Sequence, residues 1–129
     1  MKYKSFRDMG IWQSAIDIAV NIFKMTESLP RKEDYGFTSQ LRRSSLSISA
    51  NIAEAFGREH RKDKINFYYI ARGSVAETQS HLEYGLRVGY FQQKEKDDIC
   101  AKLDRLYEDL NKVLKTLKAM ASTEPKPKS

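Results

Sequence analysis

The stretch GREHRKDK, Gly57 to Lys64, gathers the residue types best suited to chemistry in this sequence. Arg58, Arg61, Lys62 and Lys64 outweigh Glu59 and Asp63, and His60 adds charge at lower pH. Clustered Lys and Arg beside a helix start suit phosphate, because backbone N–H groups there supplement the side-chain charge. The same cluster also reads as a solvated loop. Phe67, Tyr68 and Tyr69 follow at helical spacing, which fits packing better than base stacking. A second set of polar residues lies along two neighbouring segments. Arg43, Ser47, Ala50 and Glu54 recur at i, i+4, i+7 and i+11, with Asn51 beside them and Glu77 further on. Partly buried groups of this kind must find partners, since unpaired burial costs several kcal/mol. Arg43, Asn51, Glu54 and Glu77 are therefore expected to form a structural polar network, with a ligand site as the alternative.

Catalytic patterns are missing. A di-iron bundle needs inward carboxylates and two Glu-x-x-His motifs; here the comparable pair is Glu77 and His81, four apart. The Arg-x(4–6)-His spacing of helical ribonucleases is absent, as are a P-loop, a glycine-rich dinucleotide turn and a Gly-x-Ser-x-Gly elbow. The serines between 44 and 49 have no histidine placed to activate them. No catalytic residue, metal or cofactor is expected. Cys100 is the single cysteine, so an intrachain disulfide is excluded, and its apolar rhythm marks it as a structural thiol.

The elements that must position these residues are helical. The chain has 129 residues, enough for one domain with a real core, and a formal net charge of +6. That charge is compatible with a polyanion partner. No secretory signal and no apolar run of about 20 residues is present, so a cytoplasmic protein without a membrane partner is expected. Periodicity predicts a first helix from about Met9 to Ser28, opened by a Ser5–Asp8 capping box, with Trp12, Ala15, Ala19, Ile22, Phe23 and Thr26 on one face. A second runs from Phe37 to Phe56 with Gly57 as its glycine cap. A third runs from Arg61 to Val88 with Phe67, Ile70, Ala71, Ser74, Thr78, Leu82 and Gly85 as its stripe. In the fourth, Ile99, Leu103, Leu106, Leu110, Val113, Leu117 and Met120 keep a 4-3 spacing, a heptad seam that needs a partner helix. Short connections favour antiparallel neighbours, so the expected fold is all-α, an up-down-up-down four-helix bundle over residues 1–121. The tail 122–129, STEPKPKS, is expected to be disordered.

Helix two is unusually slim. Ser44, Ser45, Ser47, Ser49, Ala50 and Ala53 narrow nearly its whole circumference. A helix that is thin on several sides suggests neighbours on several sides, one of them a second copy of the chain. Ser45, Ser49, Ile52 and Ala53 are the candidates for that interface.

The segments SQLRRSSLSISANIAEAFGR, YIARGSVAE and LRVGYF, with FRDMGIWQSAIDIA and LPRKEDYGFTSQLRR before them, resemble a known family. It is the four-helix-bundle family of proteins encoded in intervening sequences of 23S ribosomal RNA genes, also called the S23 ribosomal protein family. Its motif positions fall on Gln40, Arg42, Arg43, Ser47, Ile48, Asn51, Ile52, Ala53 and Glu54, then on Ala71, Gly73, Ser74 and Glu77. The resemblance implies a helical bundle assembling as a ring-like homopentamer, without established catalysis. A related branch serves reverse transcriptases of diversity-generating retroelements as a basic accessory protein. Ala55, His60, Lys64 and Thr78 depart from the family pattern. The expected function is thus a non-catalytic, oligomeric, RNA-associated accessory protein, with a protein-interaction scaffold as the alternative.

Overall fold

The structure, a computed structural model, describes residues 2–121; the expectation for the tail lies outside them. Four helices, α1 (Gly10–Thr26), α2 (Phe37–Gly57), α3 (Arg61–Arg87) and α4 (Gln93–Ala121), follow in the expected order. Three-residue 3-10 turns precede α1 (Phe6–Asp8) and α2 (Arg31–Glu33). Cross-helix bonds fix the directions. Ser47 pairs with Ser74 while Ser44 pairs with Thr78, so α2 and α3 are antiparallel. Arg72 reaches Asn111 while Gln79 reaches Asp104, so α3 and α4 are antiparallel as well. Each helix packs on its neighbours around a square, with α1 against α4 the loosest pair. This is the up-down-up-down bundle.

Helix ends differ from the sequence expectation in two places. The Ser5–Asp8 capping box exists, but it closes the 3-10 turn Phe6–Asp8, and Met9 starts α1 without a side-chain cap. Gly57 is the last residue of α2 rather than a left-handed cap; Arg58 turns the chain away at φ −83° and ψ 142°. A lysine does the capping instead. Lys64 Nζ donates to the carbonyls of Phe56 (3.2 Å) and Ala55 (3.1 Å), the latter also accepting the Arg58 N–H, and so supplements the bonding of the last helical turn. The glycine stop comes after α3, where Gly89 takes φ +88°.

The core is built from Ile18, Ile22, Leu41, Ile48, Ile52, Val75, Leu82, Leu103, Leu106 and Leu110, all fully buried. Each such side chain contributes roughly 1.5–3 kcal/mol on leaving water. Two residues assigned to core faces point outward instead: Phe23 is 51% and Ile70 49% exposed. Ile18 and Val75 take the inward positions beside them. In α4 the buried row runs Ile99, Leu103, Leu106, Leu110 and Leu114, while Val113 and Leu117 are half-buried and Met120 is 47% exposed. The core follows the 3.6-residue turn of a straight helix, not the strict heptad of the sequence. Near Gly85 the closing loop folds back: Tyr90 and Phe91 both direct their N–H to the Gly85 carbonyl, and the buried Phe91 ring lies on the glycine.

Candidate nucleic-acid interface

The basic cluster forms the corner between α2 and α3. Its four cations are not equivalent. Lys64 is committed to the α2 carbonyls. Arg58 bridges Glu54 at 3.0 Å and stacks over Phe67 at 4.8 Å from the ring centroid. Lys62 is exposed and Arg61 half-buried, both in the first turn of α3. His60 sits at the N-cap of α3 without a side-chain hydrogen bond, and Asp63 supplies the acid that the helix start favours. The cluster thus contains two side chains that build the corner and two that face outward or edge it.

Topology adds what the local sequence could not. Because the helices alternate in direction, the N-terminal segment, the α2–α3 corner and the end of α4 all lie at one end of the bundle. Lys2, Lys4 and Arg7 come from the first, Arg58, Arg61, Lys62 and Lys64 from the second, and Lys112, Lys115 and Lys118 from the third, against Asp8, Glu54, Glu59, Asp63, Glu108 and Asp109. Asp109 is the last acidic residue of α4 within the described range. At the opposite end Lys24, Arg31, Lys32, Arg87, Lys94 and Lys96 stand among Glu27, Glu33, Asp34, Glu83, Glu95, Asp97 and Asp98. There Arg87, Lys94 and Lys96 form ion pairs with acids of α3 and α4. Lys96 reaches Glu83 at 3.4 Å, and hydrogen bonds from Arg87 and Lys96 hold the Glu83 carboxyl below its usual range. On the α3–α4 flank, Arg72 lies over Tyr69 (5.0 Å) and Tyr107 (5.7 Å) and donates to Asn111 Oδ1 at 2.8 Å. Lys118 covers Tyr69 from α4 at 4.6 Å. These tyrosine rings carry cations and serve packing, as their helical neighbours did in the sequence.

The polar network involves other residues than expected. Of Arg43, Asn51, Glu54 and Glu77, Asn51 alone belongs to it; the other three are exposed on this chain. Asn51 Nδ2 donates to the Ser47 carbonyl (2.7 Å) and hydroxyl (2.9 Å), and Ser47 shares a hydrogen bond with Ser74 (2.9 Å). One turn along, Thr78 and Ser44 share another at 2.9 Å, both buried. Glu54 spends its charge on Arg58, and Glu77 approaches His81 at 3.6 Å. Short hydroxyls reach across the close α2–α3 contact, where long charged side chains have no room.

The proposed interface residues are likewise occupied by the chain itself. Ser45 is 1%, Ser49 4% and Ile52 0% exposed, and Ala53 is partly buried. Both slim flanks of α2 are covered within the chain, one by α1 and one by α3, so small residues there need no second copy. The outer face of the α1–α2 pair is open. Val20, Phe23 and Leu46 are 47%, 51% and 54% exposed around a shallow apolar cavity of about 250 Å³. Arg42 borders it, stacked over Phe23 and hydrogen-bonded to Thr26 Oγ1 at 2.8 Å.

Among the described residues no group of three His, Cys, Asp or Glu side chains is placed to hold a metal ion, and no helix is long and apolar enough to cross a membrane.

Comparison with known proteins gives the same fold and a family. A crystal structure of a protein with unknown function from the S23 ribosomal protein family of Bacteroides thetaiotaomicron superposes with a TM-score of 0.74. It is 27% identical, and the match covers 81% of this chain and 98% of that one. No curated protein shows significant similarity. Residues 7–112 match the profile described as 23S rRNA-intervening sequence protein. With that profile spanning most of its length on a matching bundle, the chain belongs to the 23S rRNA-intervening sequence protein family.

Proposed function

We propose that this protein is a non-catalytic accessory bundle that self-associates and contacts RNA phosphates through its basic end. The observation that carries the reading is the gathering of Lys2, Lys4, Arg7, Lys62 and Lys115 at one end, where cations outnumber acids, while at the other end acids match the cations in number. Phosphate contact by dispersed cations is non-specific, and its strength rises with the number of phosphates neutralised. Self-association multiplies that number. The half-exposed Val20, Phe23 and Leu46 support it, because a monomer seldom leaves such a patch open, and a second copy is the occupant. A ring of copies sets the basic ends side by side, so one RNA meets several at once.

The test is anisotropy of a labelled single-stranded RNA titrated with the protein across a salt series. Binding at about 50 mM salt should fall steeply by about 200 mM. Arg61→Gln, Lys62→Gln and Lys115→Gln should each reduce the slope of log K against log salt by about one where a phosphate contact is lost. Light scattering should give a mass well above 15.0 kDa, and Leu46→Glu should lower both the mass and the RNA affinity. Absence of binding at low salt refutes the RNA reading; a 15.0 kDa particle at working concentration refutes the assembly. A defined protein partner retained after nuclease treatment, without RNA binding, would make the bundle a scaffold instead.

A further inference from the structure

α2 opens at the end of the bundle away from the lysine-rich one, and it opens without a side-chain cap. Gly36 precedes the helix and has no side-chain acceptor to offer. The first α2 amide with an acceptor is that of Gln40, which donates to the Gly36 carbonyl at 2.9 Å. The N–H groups of Phe37, Thr38 and Ser39 are left over, at the positive end of the helix dipole. A helix start alone assigns nothing, since every helix has one. The second observation is Thr38. It is 5% exposed, yet its hydroxyl has no hydrogen-bond partner among the described residues. The other buried hydroxyls, on Thr26, Ser44, Ser45, Ser49, Ser74 and Thr78, are all bonded. An unpartnered buried polar group is rare in a native fold and points to a partner from outside the chain.

Thr38 borders an open hollow of about 440 Å³, whose other walls are Asp34, Ser39, Arg42, Arg43 and Leu46. Acids match cations in number at this end of the bundle, but in the hollow two arginines stand against Asp34 alone. Arg42 is held in place: its Nε donates to Thr26 Oγ1 at 2.8 Å and its guanidinium lies over the Phe23 ring. Arg43 is exposed and has no ion-pair partner among the described residues. Three backbone donors, two hydroxyls and two guanidinium groups make a donor-rich set, which suits an anion with several oxygens and not a cation. We propose that this hollow binds a phosphate dianion, as the free ion or as the terminal group of a small phosphomonoester. The α2 amides, the Thr38 hydroxyl and Arg43 are its donors, and Leu46 is an apolar wall for the group that carries it. The site is separate from the RNA-contacting end and stands or falls without it.

The probes are inorganic phosphate and adenosine monophosphate, each titrated at low salt into the full chain while its backbone amide resonances are followed. The amides of Phe37, Thr38 and Ser39 should shift together and saturate. Thr38→Val removes the hydroxyl and keeps the shape. It should weaken binding about tenfold, the loss expected of a hydrogen bond to a charged group, without lowering the melting temperature measured in the absence of phosphate. Arg43→Gln should weaken binding about threefold, as befits an exposed charge, and Asp34→Asn should strengthen it. Lys102→Gln, which removes an exposed charge from α4, should change nothing. Tighter binding of the monophosphate than of phosphate identifies an organic ester as the ligand; equal or weaker binding identifies the free ion. The proposal is overturned if neither probe moves these three amides saturably, or if the shifts centre on the lysine-rich end instead. It is equally overturned if Thr38→Val binds phosphate as tightly as the parent chain, or if Asp34→Asn fails to strengthen binding.

Discussion

Gly85→Ala and Gly73→Ala are the same change on the same helix, and the structure gives them opposite signs. Both positions lie inside α3, where alanine is favoured over glycine by about 1 kcal/mol. At Gly73 a methyl group meets nothing within 4 Å, so the full propensity gain should appear. At Gly85 the added carbon falls 2.5 Å from Phe91 Cδ2 and 3.0 Å from Phe37 Cζ. The Phe91 ring is 5% exposed and hemmed in by Phe37 with ring centroids 6.1 Å apart, so it has little room to withdraw. Forcing extra volume into a packed core costs about 1–3 kcal/mol, which exceeds the propensity gain. Gly85→Ala should therefore destabilise by roughly 1 kcal/mol net, lowering the melting temperature by about 3–6 °C, while Gly73→Ala raises it by a similar amount. Urea unfolding monitored by circular dichroism measures both. Adding Phe91→Leu to Gly85→Ala should recover part of the loss relative to Phe91→Leu alone, a favourable coupling between touching sites. Equal stabilisation by the two alanines, or no coupling with position 91, would refute the wedge of Phe91 against α3.

Lys64→Met should destabilise the bundle by about 0.5–1.5 kcal/mol in the same assay, since it removes the donor to two α2 carbonyls, whereas Lys62→Met should leave stability unchanged. Alkaline pH should expose Tyr68. Burial, then the nearby Tyr3, pushes its hydroxyl above the usual 10.0, so its stabilising effect is complete below pH 10.0 and is lost as pH rises through the folded-state value. Tyr68→Phe should accordingly lose less melting temperature between about pH 9 and 11 than the parent chain; an identical loss would place the alkaline transition elsewhere.

The bundle itself was legible because proline and glycine punctuate long stretches of helical period, and Ile22, Leu41, Ile48, Leu82 and Leu103 sit where that period puts them. Errors arose where two readings shared the same residues. Val113 and Leu114 are adjacent and apolar, and only the pitch of the assembled helix decides which one turns inward. Phe23 looked like core because it is large, yet the narrow α1–α2 contact admits Ser45 and Ala19 and leaves the ring outside. Ser45 and Ser49 suggested a second copy, but their smallness answers α1 of the same chain. In the basic cluster, residue type could not separate Lys64, which caps α2, from Lys62, which faces water. Lys2 and Lys115 carried no local signal at all; 113 positions apart in sequence, they reach the same end through the alternation of helix direction.

That alternation has an electrical consequence. Helix macrodipoles point in opposite senses along α1 to α4 and largely cancel, so backbone polarity gives the molecule little net direction. The lopsided side-chain charge is then the main source of a dipole along the long axis. Near a polyanion such a rod experiences a torque as well as an attraction, turning its lysine-rich pole forward before any contact forms. Raising ionic strength shortens the range over which this turning acts, to about 8 Å at physiological salt, less than the length of any of the four helices.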